Sequence, residues 1–120
     1  ATVPRISLVL RKSYGGAFIV MDSKTMGNDA YLAWPTAEIA VMGATQAAQI
    51  LQRGESEETI ATWVEEYEET YLNPYVGAER GFVDSVIDPA DTRKELVDLV
   101  ELFSSKRERL PRRRHDNSPL

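Results

Sequence analysis

A run of apolar residues that ends in two adjacent glycines is the feature that most restricts how this chain can fold. The segment Val3 to Tyr14 is rich in aliphatic side chains, which predicts one mostly buried strand. Gly15-Gly16 follows, and then Ala17 to Met21, a short apolar stretch that is compatible with one or two helical turns. The order of strand, glycine turn and helix indicates an α/β fold with a small sheet.

Local signals predict further elements along the chain. Pro35 closes a first short apolar segment, and Gly54 follows an alanine-rich stretch that favours helix. We expect strands at Tyr31 to Trp34, Thr36 to Met42 and Val83 to Ile87, and a helix from Ala44 to Gln52.

Two longer helices are predicted in the second half of the chain. Ser56 is a plausible N-cap for a helix that runs to Tyr71 and stops at Asn73-Pro74. Asp88-Pro89 has the composition of a second helix start. The apolar side chains of both helices recur at helical spacing, so we expect them to be buried: Trp63, Tyr67 and Tyr71 in the first, and Leu96, Leu99, Val100 and Phe103 in the second.

Charge and composition exclude several classes of function. The 120 residues carry a net charge of −5 and no cysteine, so thiolate metal sites and a cysteine nucleophile are excluded. A basic tail from Lys106 to Arg114 has no accompanying nucleic-acid motif, and the single histidine, His115, is expected to be solvated. No apolar run approaches the roughly 18 residues of a membrane span, so the default location is the cytoplasm, and no metal cluster is evident.

The residues that could carry chemistry are few when judged by type and spacing. Backbone N–H groups at Gly15-Gly16 could face a developing negative charge at the start of a helix, although such a pair is more often only a turn. Asp22, Asp29 and Glu38 lack partners at a telling spacing. We interpret these three acids as cap, turn and salt-bridge residues rather than as an acid/base pair.

Two long strings carry a resemblance to a known family. Residues 11–18, RKSYGGAF, and residues 33–43, AWPTAEIAVMG, resemble motifs of the carboxyltransferase (beta) subunits of biotin-dependent acyl-CoA carboxylases, the propionyl-CoA and acetyl-CoA carboxylase group. His115, Asn117, Pro119 and Leu120 resemble the HGNIPL terminus of the same family. The resemblance covers essentially the whole chain, and it implies the C-terminal fragment of a subunit that is normally several times longer.

The resemblance implies a fold. The chain is expected to be the C-terminal part of a crotonase-like ββα superhelix domain on the biotin side, with extra C-terminal helices. Residues 1–54 would provide strands, the glycine turn and a helix of that core, residues 55–105 a helical extension, and residues 106–120 the basic tail.

The resemblance also implies a reaction and its residues. CO2 passes from carboxybiotin to the α carbon of a short acyl-CoA without a side-chain base. The backbone N–H groups of Gly16 and Ala17 would form the oxyanion hole for the biotin carbonyl, and Tyr14, Gly15, Phe18 and Ile19 would line the biotin and acyl pocket. Many propionyl-preferring relatives have Asp where this chain has Ile19, so the preferred acyl group is open.

Partners and alternatives complete these expectations. Biotin would be carried by an alpha subunit, acyl-CoA would bind through an N-terminal half outside these residues, and the chain would form a homo-oligomer that hides apolar surface. We expect the isolated fragment to be inactive. The alternatives are a non-catalytic oligomerisation module that uses its amphipathic helices, and a crotonase-type hydratase or isomerase, which would need an active-site carboxylate.

Overall fold

The computed structural model describes residues 2–107 and shows an α/β fold with parallel strand pairs. It also contains two short 3-10 turns, Lys24–Met26 and Pro89–Asp91, and loops that connect the strands and helices. The strands and helices are β1 (Ile6–Val9), β2 (Lys12–Tyr14), α1 (Gly16–Val20), β3 (Ala30–Ala33), β4 (Glu38–Ala40), α2 (Ala44–Leu51), α3 (Glu57–Tyr71), α4 (Pro74–Glu79), β5 (Ser85–Val86) and α5 (Thr92–Leu102).

A ββα unit occurs twice in the first 51 residues. β1, β2 and α1 form the first unit, and β3, β4 and α2 form the second. The first strands of the two units pair in parallel, with Ile6 opposite Ala30. The second strands also pair in parallel, in a separate sheet, with Lys12 opposite Glu38. The two ββα units therefore form a spiral with two layers of sheet. The sequence contains no internal repeat that would predict this arrangement.

The predicted single strand from Val3 to Tyr14 is wrong in one respect. The chain bends at Leu10 and Arg11, so β1 lies in a three-stranded sheet of order β1-β3-β5 and β2 lies in a two-stranded sheet with β4. Hydrophobic periodicity does not detect this bend, because the apolar residues continue across it.

The core lies between the two sheets. Tyr31 and Ala33 of β3 face Ile39 of β4, and Val9 and Val83 complete the cluster together with Ala37. Val83 precedes β5, which pairs in parallel with β3 through Ala33 and Val86. The segment that follows α3 therefore contributes a strand and a core side chain to the same sheet as the N-terminal strand.

The long helices differ from expectation in their burial. α3 begins after Ser56, whose hydroxyl accepts from Thr59 N, and this confirms the predicted N-cap. Neither α3 nor α5 contains a buried residue in the part of the chain that is described. The expected burial of the two apolar stripes is therefore wrong for this chain by itself: Trp63, Tyr67, Leu96, Leu99 and Phe103 are half-buried, and Tyr71 and Val100 are exposed.

One helix was not predicted from the sequence. Asn73-Pro74 ends α3 as expected, but it also begins α4, because the Asn73 side chain accepts from the N–H groups of Tyr75 and Val76 at 3.1 Å each. Pro74 occupies the first helical position, where its missing N–H costs nothing. The same dipeptide thus acts as a stop for one helix and a start for the next.

Candidate functional site

Two helices begin at one edge of the two-stranded sheet. β2 ends at Tyr14 and β4 ends at Ala40, and because the strands are parallel their carboxyl ends lie side by side. Gly15 and Gly43 are the N-cap residues of the helices that follow, α1 and α2. We call this region, residues 14–17 and 40–43, the carboxyl edge. Ligands of open parallel sheets commonly bind at such an edge.

Gly15 has a backbone conformation that requires glycine. Its φ is 53° and its ψ is −122°, a region that residues with a Cβ rarely adopt. A Cβ at this position would lie 3.2 Å from the carbonyl oxygen of Val41. The Gly15 N–H donates to the Ala40 carbonyl at 3.0 Å, which extends the sheet by one residue into the turn. The turn is therefore held by backbone contacts to the neighbouring strand.

The N–H groups at the start of α1 are open donors. The Gly15 carbonyl accepts from Ile19 N at 3.1 Å, but the first N–H groups of a helix have no intrahelical acceptor. No side chain caps α1, and within residues 2–107 no acceptor reaches the N–H of Gly16 or Ala17. Both residues are exposed, and a Cβ on Gly16 would meet no atom within 4 Å. The carboxyl edge can therefore receive an anionic oxygen.

Phe18 and Ile19 point to different surroundings. The ring of Phe18 makes edge-to-face contacts with Tyr31 at 6.4 Å and with Phe82 at 6.1 Å between centroids. Phe18 also lines a cleft of about 200 Å³ with Tyr67 and other residues of α3, α4 and β4. Ile19 is 46% exposed beside the open donors. Phe18 and Ile19 are two of the four residues predicted to line the pocket; the first packs against the core, and the second is exposed.

Tyr14 is half-buried and is hydrogen-bonded to β4. Its hydroxyl donates to Oε2 of Glu38, and Nζ of Lys12 lies 3.5 Å from the same oxygen. The Tyr14 ring also lies against the start of α2, where a Cβ on Gly43 would be 3.3 Å from it. The contact of Tyr14 with Glu38 was not predicted from the sequence. The only sequence signal for it is that Lys12 and Tyr14, two residues apart, lie on one face of a strand.

The other acids singled out from the sequence are structural. Asp22 forms an ion pair with Arg5 at 2.5 Å, and Asp29 forms one with Lys106 at 2.9 Å. The hydrogen bond from Lys106 and a second from the Arg5 backbone N–H lower the pKa of the Asp29 carboxyl. Together with the contacts of Glu38, these pairs agree with the interpretation of all three acids as structural residues.

A metal-binding cluster and a membrane-spanning helix are both absent from the described part of the chain. No group of three or more His, Cys, Asp or Glu side chains in residues 2–107 is arranged to hold a metal ion. In the same range, every helix is too short or too polar to span a bilayer. The basic tail beyond Arg107 and the terminal residues His115, Asn117, Pro119 and Leu120 lie outside the described residues.

Comparison with known proteins identifies a family. Residues 1–118 match the carboxyl transferase domain. The propionyl-CoA carboxylase beta chain of Saccharopolyspora erythraea is 51% identical over 130 aligned positions, covering 100% of this chain and 24% of that protein. The methylmalonyl-CoA carboxyltransferase 12S subunit of Propionibacterium freudenreichii is 46% identical, with 99% of this chain and 24% of that protein covered.

A solved structure has the same fold. The crystal structure of a transcarboxylase 12S hexamer, with methylmalonyl-coenzyme A and methylmalonic acid bound, superposes with a TM-score of 0.91 at 48% identity over 100% of this chain. The chain spans about 24% of that subunit, as it does of the curated relatives. The expected crotonase-like α/β fold is therefore confirmed, and the chain belongs to the carboxyl transferase domain family.

Proposed function

We propose that this chain forms the biotin-side part of an acyl-CoA carboxyltransferase, which moves CO2 from carboxybiotin to the α carbon of propionyl-CoA or acetyl-CoA. The observation that carries the proposal is the pair of uncapped N–H donors of Gly16 and Ala17 at the carboxyl edge. The family match over residues 1–118 and the names of the relatives support the reaction class.

The carboxyl edge fits a ureido carbonyl of biotin. A carbonyl oxygen that gains negative charge needs donors that are fixed before the reaction, and the contacts of Gly15 with β4 fix this turn. The open space at Gly16 lets the oxygen approach the backbone closely. The loss of one such donor typically costs on the order of 3 kcal/mol of transition-state stabilisation.

The chemistry of the carried biotin, when bound, is to deliver CO2 and to accept the α proton. The residues of this chain bind and orient. Gly16 and Ala17 would hold the carbonyl oxygen, and Ile19, exposed next to them, would contact the acyl chain. Because an aliphatic Ile19 adds apolar surface there, we propose that it influences which acyl length is preferred. Phe18 would contribute indirectly, because its contact with Tyr31 holds α1 against the core.

The hydratase or isomerase alternative has little support at this site. Such an enzyme needs a carboxylate that is free to exchange protons with a substrate. The carboxylate of Glu38, which lies on β4 close to the turn, is engaged by Tyr14 and Lys12. The proposed carboxyltransfer needs no side-chain base from this chain, and this agrees with the residues at the carboxyl edge.

The whole activity requires more than these 120 residues. We propose that residues 1–54 belong to the biotin-side core, that residues 55–105 form its helical extension, and that residues 106–120 form a tail. The acyl-CoA site would lie in a region outside this sequence, so a polypeptide of these residues alone is expected to be inactive. Biotin would arrive on an alpha subunit, with the reaction in the cytoplasm.

An assembly role is the second candidate, and the surface of α5 favours it. Val97 is 55% exposed and Val100 is 58% exposed, and both line an apolar depression of about 780 Å³. Apolar surface of this kind commonly marks an interface. Since the 12S relative was solved as a hexamer, we propose that α5 contacts another subunit or another part of the same subunit.

The test is a carboxylation assay of the full-length subunit that contains this sequence. The subunit, mixed with its biotin-carrying partner, is given propionyl-CoA or acetyl-CoA, with carboxylated or unmodified carrier. We expect malonyl-type products only with carboxylated carrier. The 120-residue chain is assayed in parallel and is expected to show no turnover. Association with the carrier but no product from the full-length subunit would favour the assembly role and contradict the enzymatic one.

A further inference from the structure

Three side chains form a cluster on the outer face of the two-stranded sheet. Lys12 lies opposite Glu38 in the parallel register, and Tyr14 lies opposite Ala40. The intervening residues of both strands, Ser13 and Ile39, are buried. Side chains alternate between faces along a strand, so Lys12, Tyr14 and Glu38 share the opposite face, immediately before the glycine turn.

Glu38 is the centre of this cluster. Its Oε2 accepts the hydrogen bond from the Tyr14 hydroxyl and lies 3.5 Å from Nζ of Lys12. The Lys12 ammonium is also 5.7 Å from the centroid of the Tyr14 ring. The Lys12 side chain is 51% exposed, so its ion pair contributes little by itself. The hydrogen bond from a hydroxyl to a carboxylate is the stronger contact, since charge assistance shortens and strengthens it.

Tyr14 connects Glu38 to both helix starts at the carboxyl edge. It is joined covalently to Gly15, whose N–H bonds to the Ala40 carbonyl at 3.0 Å. Its ring lies 3.3 Å from the position that a Cβ on Gly43 would occupy. A tyrosine that is held at its hydroxyl end by Glu38 keeps its ring against the start of α2. Its orientation therefore influences where α1 begins relative to β4 and α2.

We infer that Glu38, acting through Tyr14, is a positioning residue for the open donors of Gly16 and Ala17. The inference rests on the proposed function, because it assigns a role within the same site. Tyr14 thereby becomes a support for the turn rather than a contact of the substrate. A displacement of such donors by about 1 Å can lower the rate about 100-fold, so a side chain that keeps them in place affects catalysis.

The experiment compares variants of the full-length subunit, assayed with its biotin-carrying partner. We expect Tyr14→Phe and Glu38→Ala each to lower kcat about 10-fold while KM for acyl-CoA changes by less than about 2-fold. Glu38→Gln keeps an acceptor oxygen and should recover most of the rate. The double variant Tyr14→Phe/Glu38→Ala should be no slower than either single variant, because both changes remove the same hydrogen bond.

Matched controls separate positioning from a general loss of structure. Tyr75→Phe on α4 and Glu58→Ala on α3 make the same chemical changes at exposed positions outside the cluster, and both should leave kcat unchanged. Thermal unfolding midpoints are measured for every variant. A Tyr14→Phe variant with wild-type kcat, losses that multiply in the double variant, or a loss of kcat that only follows the unfolding midpoint would each overturn the inference.

A second readout keeps the inference independent of turnover. The backbone amide chemical shifts of Gly16 and Ala17 should move in Glu38→Ala and stay in place in Glu58→Ala. If the wild-type subunit carboxylates no acyl-CoA, the proposed function fails, and these amide shifts alone decide the positioning role. Unchanged amide shifts in Glu38→Ala would reject it.

Discussion

The helices α1 and α4 are both short, and their N-termini are built in opposite ways. Asn73 caps α4 by accepting from two backbone N–H groups at 3.1 Å each, so the first turn satisfies its own donors. Gly15 precedes α1 and offers no side chain, so the donors of Gly16 and Ala17 stay open. A capped start stabilises a helix, whereas an uncapped glycine start leaves hydrogen-bonding capacity for a ligand.

α3 and α2 repeat the same contrast. Ser56 caps α3 through Thr59 N at 3.3 Å, and this helix start is not part of the carboxyl edge, residues 14–17 and 40–43. Gly43 precedes α2 without any side-chain cap, and α2 begins at the carboxyl edge. The uncapped starts therefore coincide with the place where ligands of parallel sheets bind, and the capped starts belong to the helical region that follows.

The largest expected effect comes from Gly15→Ala. The alanine would have to adopt a φ near 53°, and its Cβ would lie 3.2 Å from the Val41 carbonyl oxygen. We expect a loss of about 1–3 kcal/mol in the free energy of unfolding, together with loss of carboxylation, because the turn must move. Chemical denaturation and the coupled assay measure the two effects. A stable and active variant would contradict the requirement for glycine.

Gly16→Ala separates the ligand role of the turn from its folding role. A methyl group here meets no atom within 4 Å, so we expect stability to change by less than about 0.5 kcal/mol. The same methyl group would occupy the space through which a ligand oxygen approaches, and kcat should fall about 10-fold or more. Retention of full activity would show that the ligand does not approach from this side.

The capped helices should respond in the reverse manner. Asn73→Ala removes the acceptor of two N–H groups and is expected to cost about 1 kcal/mol of stability. Ser56→Ala should cost less, since its single capping bond is 3.3 Å long and exposed. Neither change should alter kcat. Loss of carboxylation at an unchanged unfolding midpoint would contradict this prediction and would assign the starts of α3 and α4 to the active site.

The smallest expected effect is a pH dependence at the ion pair between Lys106, which follows α5, and Asp29, which precedes β3. Lys106 and the Arg5 N–H lower the pKa of Asp29 from its ordinary 3.8, so the contact stabilises the fold above that pH. The stabilisation is lost as the pH falls below 3.8 and Asp29 is protonated. Unfolding free energies between pH 5 and pH 2 should depend less steeply on pH in Asp29→Asn than in the wild type. Equal slopes would remove Asp29 from the acid response.

Much of the fold follows from local sequence signals. The Ser56 cap, the short strand before Pro35 and the helix after Gly15-Gly16 are each specified by residues within one turn of the element they begin or end. The position of α4 was missed for a local reason as well. Asn73-Pro74 is a good stop and an equally good start, and hydrophobic periodicity over only six residues cannot distinguish the two.

The candidate site was accessible from sequence only through the family motifs. Gly-Gly spacing alone favours an ordinary turn, and only the resemblance carried by residues 11–18 predicts an oxyanion hole at this turn. The role of Glu38 could not be predicted, because it depends on a parallel register that pairs residues 26 positions apart, Lys12 with Glu38. Charge spacing along the chain carries no information on that register.

The sequence by itself determined the kinds of elements, the need for glycine at the turn and the family to which the chain belongs. Only the tertiary structure decided that the first apolar run is two strands in two sheets, and that the apolar stripes of α3 and α5 find no complete cover within residues 2–107. The physical reason is the range of the interactions. Caps and turns are set by neighbours in sequence, whereas burial and register depend on residues that only the folded chain brings together.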